Sequence, residues 1–328
     1  MKKIMRVAVT GGAGQIAYSL LFRIAAGEIF GSNQKIALHI YDLPAMESVL
    51  QGVAMELADC AFELLHEIKV TSDLEEAFGG IDLALLVGAK PRSKGMERGD
   101  LLLGNGEIFV KAGKALNAVA SQDAKIVVVG NPCNTNCLIA MHHAPNLPRK
   151  NFHSMMRLDQ NRATALLATK AGCEVAKVQH VSIWGNHSAT QVPDYTHALI
   201  DQKPASEVIG DTQWLQGDFF ECVQKRGAAI IAARGKSSAA SAASALIDAV
   251  RSLYQPTPAG HWHTSAVCTD GNPYGIEENL IFGFPLITKS DSEYQIVSDC
   301  KWDFFIKEKI AVTQKELIAE RDCVKHLL

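Results

Sequence analysis

Four short stretches of this 328-residue chain carry the residue types that polar chemistry needs. The first is AKPRSKGMERGD, residues 89–100, where Arg92 and Arg98 sit in a polar segment with Gly95 and Gly99 as pivots. Such a segment suits closure over an anion with exclusion of water, although arginines on exposed loops are commonly just solvated. The second is VVGNPCNTN, where Asn131 follows an apolar run and Pro132 restricts the backbone behind it. That amide is placed to hydrogen-bond a substrate oxygen or the reactive side of a bound cofactor. The third is MRLDQNRA, with Asp159 and Arg162 three apart and therefore on one helical face. An ordinary surface ion pair is the alternative there. The fourth is IWGNHSATQ, which presents His187 among small and polar neighbours. A lone histidine is more often structural, so its case depends on Asp159.

These groups need elements to position them, and the stretch VAVTGGAGQIAYSLL announces the first. Val7 to Val9 has the length and β-branched content of a buried strand. The turn that follows reads G-x-G-x-x-A (Gly12, Gly14, Ala17), and Ile16, Leu20 and Leu21 then recur at helical spacing. That is a strand–turn–helix fingerprint for a dinucleotide. Missing side chains admit a pyrophosphate, and the helix start offers unpaired N–H groups with a partial positive charge. Gly11, Gly12, Ala13, Gly14, Gln15, Ile16 and Ala17 are the expected cofactor contacts; the alternative is a tight turn that binds nothing. A second strand, Ile36 to Tyr41, ends in Asp42, placed to accept hydrogen bonds from ribose hydroxyls and to repel a 2′-phosphate, which favours NAD over NADP. Asp42 as a helix cap ahead of Pro44 is the competing reading.

Further along, 53–65 reads as a helix, IKVT as a strand, DLEEAFGG as a capped helical turn and DLALLVG as a strand ending at Gly88. Helical spacing runs from Leu101 through Ala120, and a strand follows at Lys125 to Val129. This alternation predicts an α/β fold, a Rossmann-type doubly wound parallel sheet whose ligands bind beyond the strands' carboxyl ends. Past about residue 150 the rhythm changes. A helix at Leu158 to Lys170, a long helical stretch over 206–252, several short strand-like runs and a terminal helix presenting Ile306, Ile310, Leu317 and Val324 predict an α+β substrate and catalytic domain. The expected division is 1–154 and 155–328, in keeping with a length that exceeds one core.

Composition narrows the partners. Hydrophobic residues at 48% supply ample core, and a net charge of −3 offers no basic field for nucleic acid. No apolar run approaches the roughly 20 residues of a membrane helix, and the N-terminus lacks the apolar region of a signal peptide. The eight cysteines are scattered without zinc-like spacing, so no metal is expected and free thiols in a reducing cytoplasm are.

Taken in order, TGGAGQIAYSLL, PRSKGMERGDLL, VVGNPCNTNCL, RLDQNRA and IWGNHSATQ resemble the malate dehydrogenases, in the branch that includes cytosolic-type eukaryotic and many bacterial enzymes. The resemblance covers nearly the whole chain. It implies hydride transfer between NAD and a C4-dicarboxylate within the tricarboxylic acid cycle, in a homodimer joined through the nucleotide domains. His187 matches the family's proton acceptor and Asp159 the carboxylate that orients it. Arg162 matches the holder of the C1 carboxylate, Arg98 the group polarising the C2 oxygen, and Arg92 the partner of the distal carboxylate. Asn131 would bind substrate oxygen and help to seat the cofactor. The resemblance adds Asn105, position 112, Val129 and Gly130 to the cofactor contacts, and Ser241 to the substrate pocket.

Three positions depart from the pattern. Ala112 stands where many relatives have Gln, Met156 where Thr is frequent, and Gln160 where His or Glu is common. Ala112 therefore retains only a backbone or contact role, and Met156 bears on packing beneath Asp159. Lactate dehydrogenases share the architecture but commonly carry Gln where this chain has Arg92. A lactate or other 2-hydroxyacid dehydrogenase is the runner-up, and a nucleotide-binding scaffold without catalysis is a third reading.

Overall fold

The computed structural model describes residues 3–90 and 98–328, the side chains of residues 98–101 and 103 excepted. Its spine is a sheet of nine strands among the described residues. Six of these alternate with helices in the first half: β1 Met5–Thr10, α1 Gln15–Ala25, β2 Ile36–Tyr41, α2 Glu47–Asp59, β3 Leu65–Thr71, α3 Leu74–Phe78, β4 Leu83–Leu86, α4 Arg98–Val119, β5 Lys125–Val128, α5 Cys133–His142 and β6 Phe152–Ser154. Within this half every pairing is parallel. Parallel strands are covered by helices on both faces, which is why LALL and KIVV are nearly continuous apolar runs rather than alternating ones. The order 3-2-1-4-5-6 reverses between β1 and β4, and a crevice opens at that reversal beyond the strand ends.

The second half opens with α6 Arg157–Ala171 and the short strands β7 Val178–Gln179, β8 Ser182–Trp184, β9 Val192–Asp194, β10 Leu199–Ile200 and β11 Lys203–Pro204. Helices α7 Ala205–Ile209, α8 Thr212–Gln216, α9 Asp218–Arg234 and α10 Ala240–Tyr254 follow. The chain then forms β12 His263–Cys268, β13 Ile281–Thr288, β14 Tyr294–Ile296 and α11 Phe304–Cys323. Strand β12 pairs antiparallel with β6, and β13 and β14 continue outward. The sheet thus runs unbroken from the parallel half into the antiparallel one.

Several boundaries differ from the sequence reading. The stretch 206–252 is four helices, because Gly210 and Gly235 adopt left-handed φ of 63° and 69° and Gly217 separates α8 from α9. A left-handed residue ends a helix, and glycine takes that conformation without a Cβ clash. The helix read over 53–65 lies at Glu47–Asp59, and Leu65 already belongs to β3. Strand β6 has only three residues and no period of its own; its place comes from β5 on one side and β12 on the other. The terminal helix is as read: Ile306, Ile310, Leu317 and Val324 are all buried.

Candidate active site

The glycine turn leaves β1 at the point where the strand order reverses. Gly11 has φ +70°, and a Cβ there would stand 2.7 Å from Gly88 Cα just past β4. A Cβ on Gly12 would meet Ile40 Cγ2 at 2.3 Å. Both positions therefore exclude side chains, and the backbone is left bare toward the crevice. Gly14 caps α1 with no side-chain hydrogen bond, and its own N–H donates to Gly11 O at 2.9 Å. The first-turn N–H groups of α1 are thus not taken by a cap, which is the arrangement that holds a phosphate. Asp42 closes the turn from the side: its carboxylate accepts the Ala13 N–H at 3.0 Å and the Leu43 N–H at 2.8 Å. Gln15 is exposed, Ile16 half-buried and Ala17 buried against the core. A cleft of about 600 Å3 flanks the turn, lined by Ala13, Gly14, Gln15, Tyr18, Glu56 and Arg234 among others. None of its lining residues belongs to the histidine centre described below. These features fit a dinucleotide with a free ribose: a bare backbone cradle, an uncapped helix start and a carboxylate at the end of β2.

Beyond β5, Val129 and Gly130 both donate to Leu86 O, and Gly130 is pressed against Ala89, where a Cβ would come within 2.7 Å. Asn131 is exposed and joins Pro132 through a cis peptide. Its carbonyl accepts Asn105 Nδ2 at 3.1 Å. Asn105 is fully buried and also brackets Lys90, accepting its N–H at 2.7 Å and donating to its carbonyl at 3.2 Å. The Asn105 side chain is thereby engaged with the protein's own backbone. Ala112 lies on α4 with its side chain in the core, and Ser241 is exposed in the first turn of α10. Arg92 lies outside the described residues. Arg98 begins α4, its side chain also outside them.

The candidate acid–base pair is assembled across 28 positions. His187 Nδ1 meets Asp159 Oδ2 in a short hydrogen bond, while Asp159 Oδ1 takes Arg162 Nη1 at 3.0 Å. Asp159 is fully buried, whereas the Arg162 and His187 side chains keep 14% and 16% of their surface exposed. The cluster is therefore anchored in the interior at Asp159 and open on the His187 and Arg162 sides. Burial pushes the Asp159 carboxyl up, but the His187 ring and the Arg162 guanidinium outweigh it and hold the carboxyl below its ordinary value. Arg162 Nη2 donates to Ser238 Oγ at 3.2 Å, so Ser238 is the serine that touches this centre.

Local sequence explains each placement. Asp159 lies in the first turn of α6, where a carboxylate complements the helix dipole. His187 follows β8 and Gly185, whose φ of +88° turns the chain away from the strand. Of the groups that make these meet, the sequence singles out Met156 and Gln160 but not Asn134. Asn134, in the first turn of α5, accepts the His187 backbone N–H at 3.1 Å and donates to Gly185 O and Ile281 O. It thus ties the loop after β5 to the histidine. Gln160 is pinned to Val181 O and the Thr264 N–H, fixing α6 against β8 and β12. Met156 is buried at the start of α6 and its carbonyl accepts the Asp159 N–H at 3.1 Å.

Comparison with known proteins bears on what this centre belongs to. Residues 5–153 match the lactate/malate dehydrogenase NAD-binding domain, and residues 156–328 the lactate/malate dehydrogenase α/β C-terminal domain. The chain is 60% identical over 328 residues to the malate dehydrogenase of Protochlamydia amoebophila, covering 100% of this chain and 99% of that protein. It superposes on the crystal structure of malate dehydrogenase from Naegleria fowleri with a TM-score of 0.96, 41% identity and full coverage of both chains. It also superposes on Trichomonas vaginalis lactate dehydrogenase in complex with NADH and oxamate, with a TM-score of 0.94, 36% identity and 98% of each chain covered. The chain belongs to the lactate/malate dehydrogenase family, whose N-terminal domain binds NAD.

Proposed function

We propose that the chain is an NAD-dependent malate dehydrogenase interconverting (S)-malate and oxaloacetate. The observation that carries this reading is the dyad itself: one buried carboxylate holds a part-exposed histidine with one oxygen and a guanidinium with the other. Bound NAD supplies the two-electron centre that exchanges hydride with C2. His187 takes the proton of the C2 hydroxyl on Nε2, because Nδ1 is committed to Asp159. Asp159 fixes the tautomer and stabilises the imidazolium, which a carboxylate held ionised does throughout the cycle. Arg162 presents its remaining N–H groups to the C1 carboxylate, where a planar fork suits two oxygens. Arg98 polarises the C2 oxygen, Arg92 pairs with the distal carboxylate, and the exposed Asn131 amide binds substrate oxygen. The cofactor contacts are Gly11 to Ala17, Asp42 and the segment from Val129 to Asn131, in a nucleotide-binding half of residues 1–154 followed by a catalytic half of 155–328. Asn105 acts there by holding the Lys90 and Asn131 backbone.

A lactate dehydrogenase is the second reading, supported by the Trichomonas vaginalis neighbour: malate and lactate dehydrogenases share this fold at nearly the same TM-score. Arg92 favours the dicarboxylate, because leaving a second carboxylate without a partner in a closed site is costly. NADH oxidation followed with oxaloacetate and then pyruvate separates the readings. Faster turnover of pyruvate overturns ours, and no turnover of either supports a scaffold. In the same assay Arg92→Gln lowers kcat/KM for oxaloacetate at least about tenfold, since a charge-assisted hydrogen bond is worth about 1.5–3 kcal/mol. An unchanged kcat/KM removes Arg92 from substrate recognition.

A homodimer accords with the exposed apolar side chains of Tyr18, Val49 and Met55 on α1 and α2. Sedimentation of the full chain at twice the monomer mass is the expected result. Among the described residues no helix is long and apolar enough to cross a membrane, and the eight free thiols accord with a cytoplasmic setting.

A further inference from the structure

The loop that carries His187 is held from behind by the C-terminal helix. Asn186 Nδ2 donates to Glu316 Oε2 at 2.8 Å and to Glu320 Oε1 at 2.9 Å, while the Asn186 backbone N–H donates to Thr313 Oγ1 at 2.9 Å. The Ser188 hydroxyl and the Thr190 hydroxyl donate to the same Glu316 oxygen, Thr190 at 2.6 Å. Glu320 is buried and takes Thr135 of α5 with its other oxygen. Thr313, Glu316 and Glu320 are spaced three and four apart and so share one face of α11. The fit is close: a Cβ on Gly185 would stand 2.2 Å from Thr313 Cγ2. Residues on both sides of His187 are thus bonded to α11, and its own N–H to Asn134 of α5. The ring, by contrast, is held by Asp159 of α6.

We propose that Glu316 and Glu320 are positioning residues of the acid–base centre: carboxylates of α11 that set the backbone of the 185–190 loop so that the His187 ring reaches Asp159. The inference rests on the reading of His187 as the proton acceptor. Two hydroxyls and an amide on a short turn have many alternative partners in water. One carboxylate oxygen collecting all three selects a single arrangement, through bonds stronger than neutral ones. Misplacing a catalytic group by 1 Å costs about 10^2 in rate, so the effect falls on turnover rather than on binding.

The test uses the full-length chain with NADH and oxaloacetate. Glu316→Leu lowers kcat about thirtyfold, the scale of a partial misplacement, while oxaloacetate KM and NADH affinity by fluorescence change little. Glu316→Gln, which keeps an acceptor oxygen, recovers most of the lost kcat. Wild-type kcat in a folded Glu316→Leu variant overturns the proposal. So does a loss in which kcat, NADH affinity and unfolding temperature fall together, because that is a structural role. If Glu316→Leu does not fold, Asn186→Ala combined with Ser188→Ala and Thr190→Val removes the three Glu316 bonds from the loop side, and an undiminished kcat there overturns the proposal. His187→Asn is measured alongside. Activity in that variant overturns the reading of the site, whereas an inactive His187→Asn beside a fully active Glu316→Leu overturns the clamp alone.

Discussion

Two histidines in the second half of the chain bond through Nδ1 to fully buried aspartates, and only one of them belongs to the candidate active site. His187 meets Asp159 across 28 positions, and the second oxygen of that carboxylate serves a part-exposed arginine. His197 meets Asp194 three positions away at 2.9 Å. Asp194 is saturated by its own surroundings: Trp184 Nε1 donates to Oδ2, and the Thr196 N–H and hydroxyl both donate to Oδ1. The second pair knits a hairpin to a turn and leaves the carboxylate no further work. A buried Asp–His contact is therefore not a catalytic signature by itself. What separates the two is the third group, a guanidinium open to ligand in one case and a closed set of local donors in the other.

Substitution should break the likeness between the pairs most sharply at the histidines. His187→Asn is expected to lower kcat with oxaloacetate about 10^3–10^4-fold, the upper part of the range for general acid–base catalysis, while NADH still binds. His197→Asn should leave kcat nearly unchanged. Similar losses in both would erase the distinction between the pairs. At the second pair the cost appears in stability. Asp194→Ala strands the Trp184, Thr196 and His197 donors, and denaturant unfolding should show a loss of about 3–5 kcal/mol, as for a broken buried pair. A loss within 1 kcal/mol would mean that water takes over those donors.

The smallest expected effect is a pH dependence. The hydrogen bond to Asp194 raises the His197 pKa above its ordinary value; burial opposes the rise, and Asp194, Asp299 and Asp303 add to it by charge. A group with a raised folded pKa contributes stability that is complete below its unfolded value, about 6.5, and is lost as pH rises through the folded value. The stability gap between wild type and His197→Gln should therefore be widest near pH 6 and narrow toward pH 9. A gap that widens with pH contradicts the assignment.

The same contrast explains what could be read in advance. The glycine turn was legible because its chemistry is contiguous: Gly11 to Ala17 meet one steric requirement within seven residues, between a strand and a helix. The helices at 206–252 were legible only in part, since Gly210, Gly217 and Gly235 were visible but their breaking effect depends on the conformations they take. Asn134, Ser238 and Glu316 carried no local signal, because each acts on a group at least 53 positions away. His197 and Asp194 went unremarked for the opposite reason, their pairing being local and without a motif.

From residue types and spacing alone come the α/β alternation, the glycine turn read as a cofactor cradle and the carboxylate ending β2. Short-range sterics and charge suffice for each of these. Tertiary structure alone decided that β12 to β14 extend the parallel sheet through the three residues of β6, and that the second oxygen of Asp159 is left to Arg162 while His187 takes the first. Those outcomes depend on α5, α6, β13 and α11 packing at once around a turn after β8. No window of sequence contains such a sum of distant contacts.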